Sequence, residues 1–135
     1  MPSQSQPPLF KPFRALGYIT ENVPFAVQRR GREAFVTVSA GRVWQVYNCA
    51  KLSLVLVGPQ LRGDIRALAA KKDFTYAGVG CDIVACKRVH RYGVYRGAPE
   101  HGPVVQLIAL GEQLLSLHAG GFLVAWDLGE YKTPK

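Results

Sequence analysis

Apolar residues in this chain come in runs of four to six, and no long stretch keeps the three-and-four spacing of a helix face. The first group of runs is Phe25–Gln28, Ala34–Val38, Val43–Tyr47 and Leu52–Val57. A second group follows at Ile65–Ala69, Phe74–Ala77, Ile83–Cys86 and His90–Tyr95, and a third at Val104–Ile108, Leu114–Leu117 and Leu123–Trp126. Turn-forming clusters separate them, among them Arg30-Gly31-Arg32, Ser39-Ala40-Gly41, Lys71-Lys72-Asp73 and Gly78-Val79-Gly80. The pattern predicts short strands throughout. Two segments compete for helix: residues 61–70 contain good helix formers, and 107–117 is rich in leucine. Gly63 and Gly111 interrupt them, and both lie where the other groups place strands. Consecutive apolar residues such as Val55-Leu56-Val57 and Val104-Val105 predict sheets buried on both faces.

The groups repeat. Val43-Trp44-Gln45-Val46-Tyr47, Ile83-Val84-Ala85-Cys86 and Leu123-Val124-Ala125-Trp126-Asp127 each follow a glycine turn, at Gly41, Gly80 and Gly121. Tyr47, Cys86 and Trp126 mark equivalent places, 39 and 40 residues apart. A period of roughly 40–45 residues built from short strands is the signature of a β-propeller blade. The expected fold is therefore all-β: a partial propeller of about three four-stranded antiparallel blades, too few to close a ring. The expected division is a flexible leader over 1–12, a lone preceding strand over 13–19, blade one over 23–57, blade two over 64–95 and an incomplete blade three over 103–128. The propeller unit spans 13–131 and a tail occupies 132–135.

Charge is uneven along these repeats. The chain has 135 residues and a formal net charge of +8. Residues 1–96 hold 15 Lys/Arg against 5 Asp/Glu, whereas 97–135 hold 2 against 4. A basic surface suits polyanion partners such as RNA, although a plain basic surface reads the same way. The proline-rich polar start lacks the pattern of a signal peptide, and the apolar run 52–57 is far shorter than the roughly 18–20 residues of a membrane span. An intracellular location with reduced thiols is expected for Cys49, Cys81 and Cys86. Cys81 and Cys86 lack the second pair a zinc site needs and read as strand cysteines; no cofactor is implied.

The phrase from Leu114 to Leu128, with Ser116, Gly121 and Trp126-Asp127, resembles the closing half of a WD repeat. The opening Leu9–Gly17, Val23-Pro24-Phe25, Gly41-Arg42, Tyr47-Asn48, Lys51–Val55 and Asp64–Ala69 are similar to the WD-repeat proteins of the small-subunit processome. The resemblance implies two tandem propellers and a C-terminal helical domain in the full-length family. It also implies a scaffold role in 18S ribosomal RNA maturation in the nucleolus, with other WD-repeat proteins and precursor ribosomal RNA as partners. Departures are visible. The Gly-His that often opens a unit is Gly97-Ala98 here, and Gly120 replaces the turn aspartate. Of the His–Ser/Thr–Asp–Trp hydrogen-bond chain of such units, Ser116 and Trp126 match, so Trp126 is expected to be held mostly by packing.

Candidate contact residues fall in three basic clusters. Arg29, Arg30 and Arg32 flank a hairpin turn, Lys71 and Lys72 form another, and Lys87, Arg88 and Arg91 surround the exit from the third strand of blade two. Each can reach phosphate or an acidic partner, or lie in solvent. Tyr92 and Tyr95 could stack on bases, but sheet packing accounts for them more simply. His90, His101 and His118 have no nucleophile, phosphate-loop or metal-spacing company, so catalysis is not expected. The competing reading is a free-standing basic barrel that binds single-stranded RNA, but it leaves the 39- and 40-residue spacings unexplained.

Overall fold

The structure is a computed structural model, described here for residues 9–12, 15, 19 and 22–128. Eleven strands appear in chain order: β1 Ala26–Arg30, β2 Glu33–Ala40, β3 Val43–Asn48, β4 Ser53–Val57, β5 Ala67–Lys71, β6 Phe74–Val79, β7 Asp82–Lys87, β8 His90–Tyr95, β9 Val104–Leu110, β10 Gln113–His118 and β11 Leu123–Asp127. A single 3-10 turn, Pro99–His101, precedes β9. The strands form three antiparallel meanders, ordered β1-β2-β3-β4, β5-β6-β7-β8 and β9-β10-β11. Neither segment with helical propensity is helical: 61–66 are irregular and lead into β5, and 107–117 is split between β9, a turn and β10, because their apolar residues gain more from burial between sheets than from local helix formation. The expected strand over 13–19 lies mostly outside the described residues, as do most of the leader and all of the tail.

The sheets are separate blades of an open propeller arc, stacked face to face. β5 packs against β1 and β2 on one side and β9 on the other, so β1, β5 and β9 are the inner strands of neighbouring blades. Among the described residues, no ladder hydrogen bonds join one sheet to the next. That overturns the barrel reading, in which one continuous sheet would close on itself.

Blade two explains why its strands are almost continuously apolar. One face contributes Leu68, Ala77, Val84 and Cys86 to a core with Trp44, Val46, Leu61 and Ile65. The other contributes Ala67, Ala69, Tyr76, Ile83, Ala85 and Tyr95 to a core with Val104, Leu107, Leu114 and Leu128. Glycines permit close packing between blades at Gly78 on β6 and within blade one at Gly58, just after β4. A Cβ on Gly78 would lie 2.8 Å from Val104 Cγ1, and one on Gly58 only 2.1 Å from the Trp44 ring.

Strand alternation gives the repeat marks one orientation. Cys86 faces blade one and Trp126 packs toward blade two. Tyr47 lies on the face of β3 opposite Trp44 and Val46, again turned back against the direction of the chain. The turns before β3, β7 and β11 place Gly41, Gly80 and Gly121 at φ 73°, 59° and 91°, where a Cβ would be strained.

Candidate nucleic-acid interface

Short antiparallel meanders send alternate turns to opposite ends of a blade. The β1–β2, β3–β4, β5–β6, β7–β8 and β9–β10 turns therefore share one end of the arc. Contacts between blades confirm it: Gln28 in β1 donates from Nε2 to the Lys72 carbonyl at 3.1 Å, and its Oε1 accepts from the Lys72 amide. Lys71 Nζ in turn donates to the Gly111 carbonyl in the β9–β10 turn. This end gathers Arg29, Arg30, Arg32, Lys51, Lys71, Lys72, Lys87 and Arg88 against Glu33, Asp73, Glu112 and Asp127. Seven of the eight basic candidate residues from three sequence clusters thus share one surface.

Within it the residues differ in what they can do. Arg30, Lys72 and Arg88 line a groove of about 140 Å³ between blades one and two. Arg30 Nη1 meets Asp73 Oδ1 at 3.1 Å, and the Asp73 carbonyl accepts from the Arg88 amide at 2.7 Å, which ties the three turns together. Below the cations the groove is lined by Phe35, Val46, Val55 and Leu56. Lys71 is turned toward blade three, where it pairs with Glu112 at 3.4 Å. Lys87 Nζ sits 5.9 Å from the Phe74 ring centre. Arg29 and Arg32 are exposed beside the groove. Arg91, the second residue of β8, does not line this groove and turns into another cleft with Arg62 and Arg96.

The aromatic residues near these cations belong to the packing. Tyr95 is buried between Tyr76 and Trp126, and Tyr92 meets the Phe74 edge at 5.2 Å. Burial pushes the Tyr76 and Tyr95 hydroxyls above the ordinary tyrosine range, with neighbouring tyrosines adding to the shift. Burial likewise raises the Cys86 thiol, partly offset by Trp44. Cys81 is raised by burial and by Asp82 beside it. Among the described residues, no cluster of His, Cys, Asp and Glu could hold a metal ion.

Blade three adds a hydrogen-bond chain to the packing expected to hold most of Trp126. The Trp126 Nε1–H donates to Ser116 Oγ at 3.0 Å, and Ser116 Oγ lies 2.8 Å from His118 Nε2. His118 Nδ1 is 3.0 Å from the Gly102 carbonyl, which can only accept. Nδ1 therefore donates to that carbonyl, which leaves Nε2 to the serine hydroxyl. The histidine sits two residues after the serine on β10, not in the Gly-His position, and a carbonyl takes the role of the aspartate. Close approach fixes Gly120 as well: its amide donates to the His101 carbonyl at 2.9 Å, and a Cβ there would lie 2.6 Å from that oxygen.

Known proteins fit this geometry. No family model matches the chain. It is 34% identical to U3 small nucleolar RNA-associated protein 21 homolog of Schizosaccharomyces pombe, over 94% of this chain and 14% of the relative. It is 29% identical to WD repeat-containing protein 36 of Homo sapiens, over 89% of this chain and 14% of the relative. For U3 small nucleolar RNA-associated protein 21 of Saccharomyces cerevisiae the figures are 30%, 69% and 9%. The chain is a homologue of these WD-repeat proteins. It spans about one-seventh or less of their length. A chain in the crystal structure of the mitotic checkpoint complex superposes with TM-score 0.65 at 18% identity, covering 90% of this chain and 39% of that one. The computationally designed Ika8 protein gives 0.59 at 16% identity, covering 77% and 33%. These structural likenesses speak for the propeller fold. In this WD-repeat homologue, the Trp126–Ser116–His118 chain is the fullest form of the repeat's lock. Cys86 and Tyr47 occupy the tryptophan's place in the other two blades.

Proposed function

We propose that this chain is a non-catalytic scaffold segment in ribosomal RNA processing and small ribosomal subunit biogenesis, working in the nucleolus. It presents blade surfaces to other WD-repeat proteins of the processome and to precursor ribosomal RNA. The observation carrying this reading is homology, over 94% and 69% of this chain, to two proteins named for association with the U3 small nucleolar RNA. The basic end of the arc supports it, since phosphate attraction needs cations gathered on one surface.

Epitope-tagged chain expressed in fission yeast, followed by precipitation and measurement of U3 RNA, tests the proposal. Enrichment of U3 over an unrelated small nuclear RNA is expected. An unenriched precipitate from well-expressed, folded protein would contradict it.

A further inference from the structure

Three hairpins connect the first and second strands of their blades by two-residue turns, and all three place the first turn residue at positive φ. In blades one and three that residue is glycine, Gly31 at 64° and Gly111 at 61°. In blade two it is Lys72, at 54°. The β7–β8 turn of the same blade holds Arg88 at 56°. A bulky side chain seldom adopts this conformation, and such positions concentrate where function requires them. Blade two thus carries two cations at positive φ, and one of them, Lys72, stands where the other two blades have glycine. Both line the same groove, opposite Arg30 of blade one.

We propose that the groove between blades one and two is a binding site for single-stranded RNA, with Arg30, Lys72 and Arg88 on the phosphates and a base entering above Phe35, Val46 and Leu56. The arrangement has the two chemistries such a ligand needs: cations at the rim and an apolar, partly aromatic floor. An acidic peptide would use the rim alone and leave the floor unfilled. Duplex RNA keeps its bases stacked inside and could not reach the floor. The site is assembled before any ligand arrives. Gln28 bonds the Lys72 backbone from across the blade junction, and Asp73 holds both the Arg30 side chain and the Arg88 amide. The choice of RNA among polyanions rests on the scaffold reading above; the location rests on the groove.

Fluorescence anisotropy with fluorescein-labelled decauridylate and the full chain tests the site. The variant is the pair Lys72→Gly and Arg88→Gly, which removes both cations and relieves both backbones. Affinity at about 50 mM salt should fall about tenfold, and the slope of log K against log salt should flatten by about 1.4, at about 0.7 per lost phosphate contact. The melting temperature should hold or rise, since glycine is at ease at positive φ. Arg42→Ala with Arg62→Ala, at the opposite end, should leave binding unchanged. Should the glycine pair fail to fold, Lys72→Asn with Arg88→Asn makes the same test, because asparagine tolerates this conformation. Wild-type chain that binds no decauridylate, a variant that binds as the wild type does, or polyglutamate competing as well as the RNA would each overturn the proposal. Loss of decauridylate binding with U3 precipitation intact would leave both readings standing, the scaffold acting through protein contacts. Groove binding without U3 precipitation would remove the scaffold reading alone.

Discussion

Blade two and blade three are built from the same strand pattern, yet one is covered on both faces and the other on one. The third strand of blade two, β7, buries Ile83, Val84, Ala85 and Cys86 in succession. The matching strand of blade three, β11, alternates: Val124 and Trp126 are half-buried toward blade two, while Leu123 is 68% exposed. Ile108 and Leu110 on β9 and Leu117 on β10 are exposed on that same outward face. Blade one mirrors this at the other end, with Val27, Leu54 and Val57 exposed. The difference teaches where each blade's stability originates. Blade two is held by apolar burial from two neighbours, and blade three adds a buried hydrogen-bond chain.

The comparison breaks most visibly at Ile83. It is fully buried between blades two and three, so Ile83→Ala should cost about 2–5 kcal/mol in chemical denaturation. Leu123→Ala, on the outward face of the equivalent strand, should cost no more than about 0.5 kcal/mol. Equal losses at the two sites would mean that the outward face is covered.

Blade three should respond to a change with almost no loss of volume. Ser116→Ala strands the Trp126 indole N–H and the His118 ring nitrogen, both polar atoms with no other partner in the lock. A cost of about 1–3 kcal/mol is expected, read from the shift in denaturation midpoint. A neutral outcome would return Trp126 to packing alone.

A smaller effect than the loss of the serine belongs to blade two and concerns pH. Burial keeps Tyr76 and Tyr95 protonated above the ordinary tyrosine pKa of about 10. Above that pH the unfolded chain loses protons that the folded chain keeps, so stability falls as pH rises. The loss should be on the order of 1 kcal/mol by pH 11. Tyr76→Phe should flatten the profile; an unchanged slope would assign the alkaline loss to other groups.

The sequence made most of this architecture legible because two signals agree: short apolar runs bounded by turns, and a 39- to 40-residue recurrence of the same phrase. The recurrence decided segments such as Leu107–Leu117, where local propensity favoured helix. What stayed hidden depended on contacts between elements. Ser116 and His118 are visibly on one strand face, but only the fold brings the Gly102 carbonyl to the ring and completes the lock. The three basic clusters are equally plain in sequence. That Arg30, Lys72 and Arg88 share a groove while Arg91 faces another cleft follows from blade stacking. Lys72 at positive φ was concealed for a different reason: nothing in Lys71-Lys72-Asp73 asks for a glycine until the turn is set beside Gly31 and Gly111.

Native-state hydrogen exchange tests the face-to-face stacking of three blades most directly. Amides of β6 and β7, enclosed by neighbours on both faces, should exchange only through global unfolding. Those of the outer strands β4 and β11 should exchange faster by local opening. Uniform protection across all eleven strands, or β7 exchanging as fast as β11, would contradict an open arc with blade two at its centre.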